Sequence, residues 1–541
     1  MIRTSAEAPA PPEARTWPLH PFLVAAFPVL FLFAANVGEQ LSFLPLWGPL
    51  GVVLAIAALG VSAAWIVRRL TGVDATRMAL GVSLLILLGL TYGHAWNAFG
   101  ETLRLHRFLL AAWGGLAIGG LVLVARLDRR AAARLTGGVT ALAALMVAIN
   151  IVPLWQLVDR GPIVGASAPE PSDAQPVEAG TRDVWYLVFD RYAGSAGLEG
   201  TYGFDNSAFL DALRERGFLV AERASANYLK TGTSLVSSLN MAELDVAALA
   251  EEATAADDWT PVIRRLQSGH AVERFLHQRG YRYLHVGSRL GDTLVNAAAD
   301  ETFVYTDTSE FAASLVDTTI LAALERVVPR EVPRGSIAYV PDQSLAQLER
   351  LRTAADQPGL DFVFAHVLLP HPPYAFNADG TRVTDAQRKA RTVDEQFLEQ
   401  VRFTNATILD LVDLLQSAPP AEQPIIVLAA DEGPFPERYR RNEEGFAWLE
   451  ARPEELLRKF SILTALSVPG ADDADLVEAG FSDALTPANL FRVVFNAAFD
   501  AGLPLVPDRN WVFVDQRHLY DMVDVTDRVR AALGLDAAAP R

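Results

Sequence analysis

The sequence predicts two architectures in one chain: an N-terminal bundle of five membrane-spanning helices, and a C-terminal α/β domain built on a large, mostly parallel sheet covered by helices. Three observations lead to this prediction. First, 51% of the 541 residues are hydrophobic and the mean hydropathy is positive, which is high for a soluble protein. Second, long apolar stretches follow one another near the N-terminus. Third, strand-like and helix-like segments alternate over the remainder of the chain.

A polar arm of residues 1–17 precedes the apolar stretches, and we expect it to be cytoplasmic. Each stretch is long enough to cross a bilayer, which takes about 20 residues for about 30 Å of hydrocarbon. The predicted membrane domain covers residues 18–158, and its five spans are residues 18–38, 45–67, 77–96, 107–125 and 136–157.

Arginines predict the orientation of these spans, because basic residues near spans remain in the cytoplasm. Most of them precede the first span or lie in the second and fourth connections: Arg3, Arg15, Arg68, Arg69, Arg77, Arg126, Arg129, Arg130 and Arg134. Only Arg104 and Arg107 fall on the opposite side. Five spans with a cytoplasmic N-terminus predict a multi-pass protein of the cell membrane whose C-terminal domain lies outside the cytoplasm.

Residues 159–182 are rich in proline, alanine, serine and glutamate without periodicity, so we interpret them as a linker before a domain of residues 183–541. Residues 1–160 carry a net charge of +5 and residues 161–541 a net charge of −23. An exported domain this acidic argues against nucleic acid as a partner. The chain has no cysteine, which excludes disulfides and thiol catalysis.

The C-terminal domain shows a regular succession of elements. The apolar run VWYLVF at 184–189 predicts a strand, and NSAFLDALRER at 206–216 predicts a helix that ends at Gly217. The elements predicted after these are strand 218–220, helix 259–279, strands 280–286 and 361–367, helix 394–416, strands 424–430 and 460–467, and helix 486–500.

Two of these strands end in carboxylates. VWYLVF is followed by Asp190, and PIIVLAA is followed by Asp431 and Glu432. Ligands of open α/β sheets bind at the carboxyl ends of the strands, so these groups are predicted to meet at one edge. Between them, Thr231 precedes the apolar residues of a predicted helix, where free amides and the helix dipole favour an anion. Carboxylates and a hydroxyl together indicate metal-assisted phosphoryl or sulfuryl transfer.

The order of the motifs resembles the sulfatase-like branch of the alkaline phosphatase superfamily. Its parts are the strand ending at Asp190, TGTSLVSSLNM (231–241), FVFAHVLLPHPPY (362–374), IIVLAADEG (425–433) and KFSILTALSVPG (459–470). With five spans before it, the chain looks like lipoteichoic acid synthases and phosphoethanolamine transferases. The resemblance implies an alkaline-phosphatase-like fold for residues 183–541, with residues 242–345 matching least.

The resemblance places Thr231 at the position of the family's nucleophile, and Thr233 and Ser234 stay open as alternatives. True sulfatases need a Cys or Ser followed by x-Pro-x-Arg, whereas this chain has TGTSL, so the resemblance implies phosphate esters as substrates. It also implies one divalent metal ion held by Asp190, Thr231 and Asp431.

Glu432 stands where the family has a histidine, in an Asp-Glu-Gly sequence instead of Asp-His-Gly. As a fourth metal ligand, this carboxylate would favour Mn²⁺, Mg²⁺ or Ca²⁺ over Zn²⁺. The same substitution is compatible with a weakened or lost metal site.

His371 in PHPPY resembles the family histidine that contacts the substrate ester and protonates the leaving oxygen. The residues predicted to bind substrate beside it are Lys230, Arg191 and Tyr374. Lys459 adjoins another motif and is a further candidate to balance phosphate charge. His366 lies inside an apolar strand and is predicted to form a hydrogen bond in the core, as is His285.

The resulting hypothesis is a membrane-anchored, metal-dependent hydrolase or transferase that acts on phosphate esters of lipid-linked or cell-envelope glycan substrates through a threonine nucleophile. The alternative is a catalytically silent sulfatase-like protein that serves as a binding or assembly module of the envelope. Metal content separates the two, because the silent protein would hold no stoichiometric divalent ion.

Overall fold

The computed structural model describes residues 18–37, 43–103, 106–155, 182–305, 310–321, 323 and 336–536. The predicted arm and nearly all of the predicted linker lie outside these residues. The chain divides into two compact units. The first comprises Met1–Ala35, Phe43–Trp155 and Ser314–Arg330, and the second comprises Asn36–Ser42, Gln156–Ala313 and Glu331–Arg541.

The first unit contains the apolar helices. They are α1 (His20–Ala35), α2 (Leu44–Thr71), α3 (Ala75–Leu103), α4 (His106–Arg126) and α5 (Arg129–Ile151). Within the described residues, four helices are long and apolar enough to cross a membrane, at Pro45–Thr71, Ala75–Ala98, His106–Arg126 and Arg129–Leu154. Helix α1 has 16 residues, a length of about 24 Å against the roughly 30 Å of a bilayer core. Four of the five predicted spans are therefore confirmed as candidate spans.

Local sequence sets the ends of these helices. Helix α2 stops at Gly72, whose φ of 72° is the left-handed conformation that glycine adopts without steric cost. Helix α5 begins at Asp128, whose side chain accepts a hydrogen bond from the N–H of Ala131 at 2.7 Å. Both ends fall in the short connections that the arginine pattern assigns to the cytoplasm.

The second unit is built on a seven-stranded sheet of order β2-β7-β6-β1-β5-β3-β4. The strands are β1 (Val184–Phe189), β2 (Leu219–Val220), β3 (Arg282–Val286), β4 (Glu301–Phe303), β5 (Asp361–Val367), β6 (Ile425–Ala429) and β7 (Thr464–Ser467). Strands β6, β1, β5, β3 and β4 are parallel, and β7 is antiparallel to both β6 and β2. A separate antiparallel pair is formed by β8 (Trp511–Phe513) and β9 (Met522–Asp524).

Helices lie between the strands in sequence. They are α6 (Ser195–Tyr202), α7 (Ser207–Glu215), α8 (Thr231–Asn240), α9 (Val246–Glu252), α10 (Thr260–Gln267), α11 (Ala271–His277), α12 (Glu310–Asp317), α13 (Ser336–Ala355), α14 (Asp385–Ala390), α15 (Val393–Leu415), α16 (Glu437–Arg441), α17 (Pro453–Phe460), α18 (Asp473–Glu478), α19 (Pro487–Phe499) and α20 (Thr526–Ala532). The prediction of a large, mostly parallel sheet with helical connections is confirmed.

One predicted helix is wrong in its extent. The stretch 259–279 forms two helices, α10 and α11, because the chain leaves the helical conformation between them. His270 has an extended backbone, and its Nδ1 accepts a hydrogen bond from the N–H of Glu273 at 3.1 Å, which starts the second helix. The predicted strand 460–467 begins at Thr464, since α17 continues to Phe460.

The central strands lie in the middle of the core. Every residue of β1, β5 and β6 is buried, as expected for parallel strands covered on both faces. Helix α19 packs on the sheet through aromatic rings, with Phe491 edge-on to Tyr186 of β1 at a centroid distance of 5.0 Å. This packing fixes the strand ends that carry the site.

Candidate active site at the carboxyl ends of the strands

Strand register brings the acidic strand ends together. In the parallel pairing of β1 with its two neighbours, Val188 lies opposite both His366 of β5 and Ala429 of β6. The residues that follow, Asp190 and Asp431, therefore leave the sheet side by side at its carboxyl edge. Both are buried, with 0% and 1% of their surfaces exposed. The predicted meeting of these two carboxylates is what the structure shows.

Thr231 contacts this pair directly. Its Oγ1 donates a hydrogen bond of 2.6 Å to Oδ2 of Asp431, and it is the first residue of α8. The two alternative hydroxyls of the same turn are committed elsewhere: Thr233 Oγ1 donates to the carbonyl of Lys230 at 2.9 Å, and Ser234 Oγ donates to the carbonyl of Tyr228 at 3.2 Å. Of the three, Thr231 is the hydroxyl that the structure places at the acidic pair.

His366 completes the group, a placement that sequence reasoning missed. Its Nε2 lies 3.6 Å from Oδ2 of Asp190 and 3.9 Å from Oδ2 of Asp431, and all three side chains offer ligand atoms within 4.8 Å of one another. Its other ring nitrogen, Nδ1, is 2.8 Å from the hydroxyl of Thr293, the core hydrogen bond predicted for it. Burial lowers the pKa of His366 to about 3, so that the ring is neutral. Its register partner in β1 is Val188, two residues before Asp190, so the pairing of these strands, and no local sequence pattern, places the histidine here.

These residues fit a divalent cation. Both oxygens of Asp190 and the Nε2 of His366 are buried without a hydrogen-bond partner among the described residues, an arrangement that costs free energy unless something else satisfies them. Burial, the Asp431 carboxylate and Glu432 together raise the pKa of Asp190, even though the Arg191 guanidinium opposes them. A neutral imidazole whose second nitrogen is held by a hydrogen bond is the usual state of a ligating histidine.

Glu432 is not among the residues whose ligand atoms lie within 4.8 Å of one another, although its Oε2 is buried without a hydrogen-bond partner among the described residues. Its Oε1 is 3.1 Å from Nε of Arg191 and 3.0 Å from Nζ of Lys459, and the Lys459 ammonium lies 3.4 Å from the ring centroid of Phe435. Both members of the Glu432–Lys459 pair are buried, and burial lowers the pKa of Lys459 to about 7. Through Oε1, this carboxylate is the shared counter-ion of two protein cations, and its role as a metal ligand stays a prediction.

Arg191 links the two halves of the site. Its N–H donates to Oδ1 of Asp431 at 3.1 Å, and its φ of 60° lies in the left-handed region that non-glycine residues seldom occupy. The guanidinium lies over the ring of Phe435 at 4.6 Å. Lys230 reaches the same ring and the side chains of Tyr439 and Glu443, at 3.1 and 3.3 Å from its Nζ.

A cavity of about 350 Å³ opens beside Thr231. Its lining includes Thr231 and the cations Arg191 and Lys230. Three carboxylates, an amide and apolar groups form the rest, and the remaining lining residues are Asp257, Trp259, Leu290, Gly291, Asp292, Glu432, Gln516 and Leu519. Several of these come from the part of the chain that the family motifs match least. A larger cavity near Ile425 and Val468 lies at the opposite edge of the sheet and contains none of the predicted site residues.

Gly232 follows Thr231 directly, and the side chains of Asp292 and Trp259 come close to helix α8 at this residue. A Cβ at Gly232 would lie 2.6 Å from Oδ2 of Asp292 and 3.3 Å from the indole of Trp259. The Trp259 Nε1–H donates to that same oxygen of Asp292 at 3.3 Å. A glycine is therefore needed for the carboxylate and the indole to stand against the first turn of α8.

The remaining predicted residues have distinct surroundings. His371 is half-buried and its Nδ1 forms a very short contact with the carbonyl of Pro372. Burial, with Arg191 as the next cause, lowers the pKa of His371 well below its usual value. Tyr374 is buried against the ring of Phe397 at 6.0 Å and does not line the cavity. His285 uses both ring nitrogens in the core, one on Tyr283 and one on the carbonyl of Thr293.

No family model matches the sequence, and no curated protein matches it. Solved structures do match. The C-terminal periplasmic domain of EptC from Escherichia coli shares 12% identity over 65% of this chain and 97% of that one, with a TM-score of 0.40. The integral membrane protein lipooligosaccharide phosphoethanolamine transferase A (EptA) from Neisseria meningitidis shares 13% identity over 89% of this chain and 95% of that one, with a TM-score of 0.41.

A protein in the alkaline phosphatase superfamily from Vibrio parahaemolyticus shares 12% identity over 65% of this chain and 80% of its own length, with a TM-score of 0.38. These values are too low to carry an activity or a substrate to this chain. The solved structures that match include phosphoethanolamine transferases and a protein of the alkaline phosphatase superfamily, the group that the sequence motifs resemble.

Proposed function

We propose that this protein is a membrane-anchored phosphotransferase or phosphodiesterase that uses Thr231 as its nucleophile on lipid-linked or cell-envelope phosphate esters. The proposal includes the topology predicted from the sequence: a cytoplasmic arm (1–17), five spans within residues 18–158, a linker (159–182) and an extracytoplasmic domain (183–541). The proposal counts α1 as the fifth span. This requires the helix to continue into the residues that flank it.

The observation that carries the proposal is the 2.6 Å hydrogen bond from Thr231 to Asp431 at the start of α8. A carboxylate that accepts this hydroxyl proton increases the electron density on Oγ1, which a nucleophile requires. The free amides and positive dipole end of the helix favour the anionic phosphate at the same place. The neighbouring hydroxyls, which donate to backbone carbonyls, are not arranged for attack.

Asp190, His366, Asp431 and Thr231 are the residues that would hold a divalent ion. When bound, such an ion would lower the pKa of the threonine hydroxyl and polarise the phosphate. The sequence-based preference for Mn²⁺, Mg²⁺ or Ca²⁺ rested on Glu432 as a ligand. With His366 in that role, two carboxylates, an imidazole and a hydroxyl form a donor set that also suits Zn²⁺.

The protein's own cations would receive the phosphate oxygens. Arg191 uses its Nε on Glu432, and within the described residues its terminal nitrogens form no hydrogen bond, so that they are available at the cavity wall. The cavity lining also includes Asp257, Asp292 and the Trp259 indole, which offer negative charge and an aromatic face. This distribution favours a phosphate ester whose head group carries a positive charge.

His371 is suited to act as a base in this proposal. Its Nδ1 faces the carbonyl of Pro372 and must carry the proton there, so Nε2 has a free lone pair. A neutral ring accepts a proton from an incoming hydroxyl or water, whereas protonation of a leaving oxygen would need the imidazolium form. The base role is the one that a neutral ring supports, and the family role of protonating the leaving oxygen stays a prediction for His371.

The test uses full-length protein in liposomes that contain fluorescent phosphatidylethanolamine or phosphatidylglycerol. We expect Thr231→Ala to abolish release of diacylglycerol. Intact-protein mass spectrometry of the wild type should detect the head-group phosphate esterified to Thr231, because the attack breaks the bond to diacylglycerol and keeps the bond to the head group. Thr233→Ala is the matched control from the same helical turn and should retain activity. Full activity in Thr231→Ala would exclude the threonine nucleophile.

A second arm tests the head group. Asp292→Asn should lower kcat/KM for the amine-bearing lipid more than for the glycerol-bearing lipid, because only the former presents a cation to the carboxylate. An equal loss of kcat/KM for the two lipids would contradict the proposal that Asp292 contacts a cationic head group.

One observation favours the silent alternative. Glu432 stands where the family has a histidine ligand, and its Oε1 forms ion pairs with Arg191 and Lys459. Elemental analysis decides between the two. A stoichiometric divalent ion that is lost in Asp190→Asn supports the enzyme, and absence of metal from the purified wild type supports the silent protein.

A further inference from the structure

A short segment from the C-terminal half of the sequence belongs to the membrane unit. The described residues 314–321 and 323 fall between β4 and α13 in sequence, yet they belong to the same compact unit as the apolar helices. Ile320 and Ala323 pack with Tyr92 of α3 and Leu109 of α4. The segment thus contacts two candidate membrane spans.

Gly93 of α3 allows the backbone of the segment to come into direct contact with the backbone of the helix. Its N–H is 2.7 Å from the carbonyl oxygen of Thr318. A Cβ at Gly93 would lie 2.4 Å from the carbonyl oxygen of Asp317 and 2.5 Å from Cα of Thr318, distances at which backbone atoms would have to move. By contrast, a Cβ at Gly89, one helical turn earlier, would meet nothing within 4 Å. The docking of the turn therefore depends on the glycine at position 93.

The turn also satisfies its own backbone. Thr318 Oγ1 donates to the carbonyl of Leu315 at 2.7 Å, and Thr319 Oγ1 donates to the carbonyl of Val316 at 2.8 Å and accepts from the N–H of Leu321 at 3.2 Å. These bonds supply hydrogen-bond partners for the last carbonyls of α12. At an exposed helix end, water would supply such partners. Internal satisfaction of this kind is what a segment at membrane depth requires.

The depth follows from the helix geometry. Gly93 precedes Ala98, the end of the candidate span in α3, by five residues, which correspond to about 7 Å along the axis. The surrounding side chains are typical of a membrane interface, since Trp96 stacks on His106 at a centroid distance of 3.5 Å and Trp113 is edge-on to Tyr92 at 5.8 Å. In the predicted topology this end of α3 faces away from the cytoplasm.

We propose that residues 314–321 and 323 form an interfacial segment that binds the outer leaflet of the bilayer, at the boundary between head groups and acyl chains. Within the described part of the segment, Leu321 is the large apolar side chain left exposed, with 53% of its surface accessible, and it would contact the acyl chains. The exposed residue Asp317 marks the head-group level of the same turn. The bound partner is lipid, and the inference is independent of any catalytic activity.

The absence of cysteine from the native sequence allows a direct test. Leu321→Cys in the full-length protein would be labelled with an environment-sensitive fluorophore and reconstituted into phosphatidylcholine/phosphatidylglycerol vesicles. Quenching by spin-labelled lipid is compared with quenching by aqueous iodide. The control is Val477→Cys, a residue of α18 with 59% of its surface exposed.

We expect the lipid-to-iodide quenching ratio to be several-fold higher at position 321 than at position 477. Adding Gly93→Leu should lower the ratio at position 321 toward the control value, whereas adding Gly89→Leu should leave it unchanged. Equal ratios at positions 321 and 477 in the otherwise native protein would overturn the proposal. That comparison needs no substitution in α3, so a folding defect in Gly93→Leu cannot obscure it.

Discussion

The buried Glu432–Lys459 pair gives the sharpest prediction about stability. Replacing Glu432 with glutamine removes the anion that Lys459 and Arg191 share, at distances of 3.0 and 3.1 Å. Neither Glu432 nor Lys459 is more than 1% exposed, so water cannot take over the lost interaction. Removing one partner of a buried ion pair costs about 3–5 kcal/mol because the other charge stays uncompensated.

We place Glu432→Gln at the lower end of that range. Lys459 keeps the carbonyl of Gly433 at 3.0 Å, and Arg191 is 22% exposed and keeps Asp190 at 3.9 Å. The expected loss is about 3 kcal/mol at pH 6, or roughly 150-fold in the folding equilibrium. Lys459→Met leaves Glu432 its bond to Arg191 and should cost about 2 kcal/mol. The double variant should lose less than the sum, with a coupling of about 2 kcal/mol.

The pH dependence has a defined sign. Burial lowers the pKa of Lys459 to about 7 and Glu432 acts against that shift, so the pKa falls further when Glu432 is replaced. A lysine whose pKa is lower in the folded than in the unfolded state binds fewer protons when folded, and stability decreases as the pH falls toward the folded pKa. The cost of Glu432→Gln should therefore be larger at pH 6 than at pH 8.

The measurement is urea unfolding of full-length protein in detergent micelles, followed by tryptophan fluorescence at both pH values. Lys389→Met, at an exposed lysine, is the control and should change the free energy of unfolding by less than about 0.5 kcal/mol. Additive effects of the two single variants, or an equal cost at pH 6 and pH 8, would refute the assignment of a coupled buried pair.

Three further predictions concern the cavity and the metal. Gly232→Ala should lower turnover because its Cβ would meet Oδ2 of Asp292 at 2.6 Å. In Gly291→Ala the new Cβ would meet nothing within 4 Å, so steady-state kinetics should stay near wild type. Equal effects of the two substitutions on turnover would contradict the close packing at Gly232. Arg191→Gln should raise the pKa of His371, since the guanidinium is one of the causes that lower it; NMR titration of the ring checks the direction, and an unchanged pKa would contradict it. Removal of a bound ion by a chelator should lower the thermal midpoint, because an ion at 100 times its dissociation constant stabilises by about 2.7 kcal/mol; an unchanged midpoint in metal-loaded protein would argue against the site.

The parts of the structure that depend on local pattern could be predicted from sequence. The strand 361–367 has the predicted bounds, and the helix beginning at Thr231 lies where its apolar residues indicate. The two strand-end aspartates meet because parallel strands end at one edge, a rule that needs no detailed packing. The break between α10 and α11 was missed because one side chain, His270, starts the second helix.

The contents of the site were harder to predict, because they depend on which strands become neighbours. A histidine inside an apolar strand has the same local pattern whether its free nitrogen faces the core or a carboxylate. Only the pairing of β5 with β1 places His366 beside Asp190. The ion pairs of Glu432 could not be predicted for the related reason that its partners, Arg191 and Lys459, lie 241 and 27 positions away in sequence.

The backbone of Arg191 links function and stability. Its φ of 60° costs about 1–2 kcal/mol for a residue with a Cβ, and glycine would adopt the same conformation without that cost. Arg191→Gly would relieve the backbone while removing a cation from the cavity wall. Selection for stability alone would favour glycine here, so an arginine at this position marks a trade-off in which conformational strain is tolerated because the side chain is used.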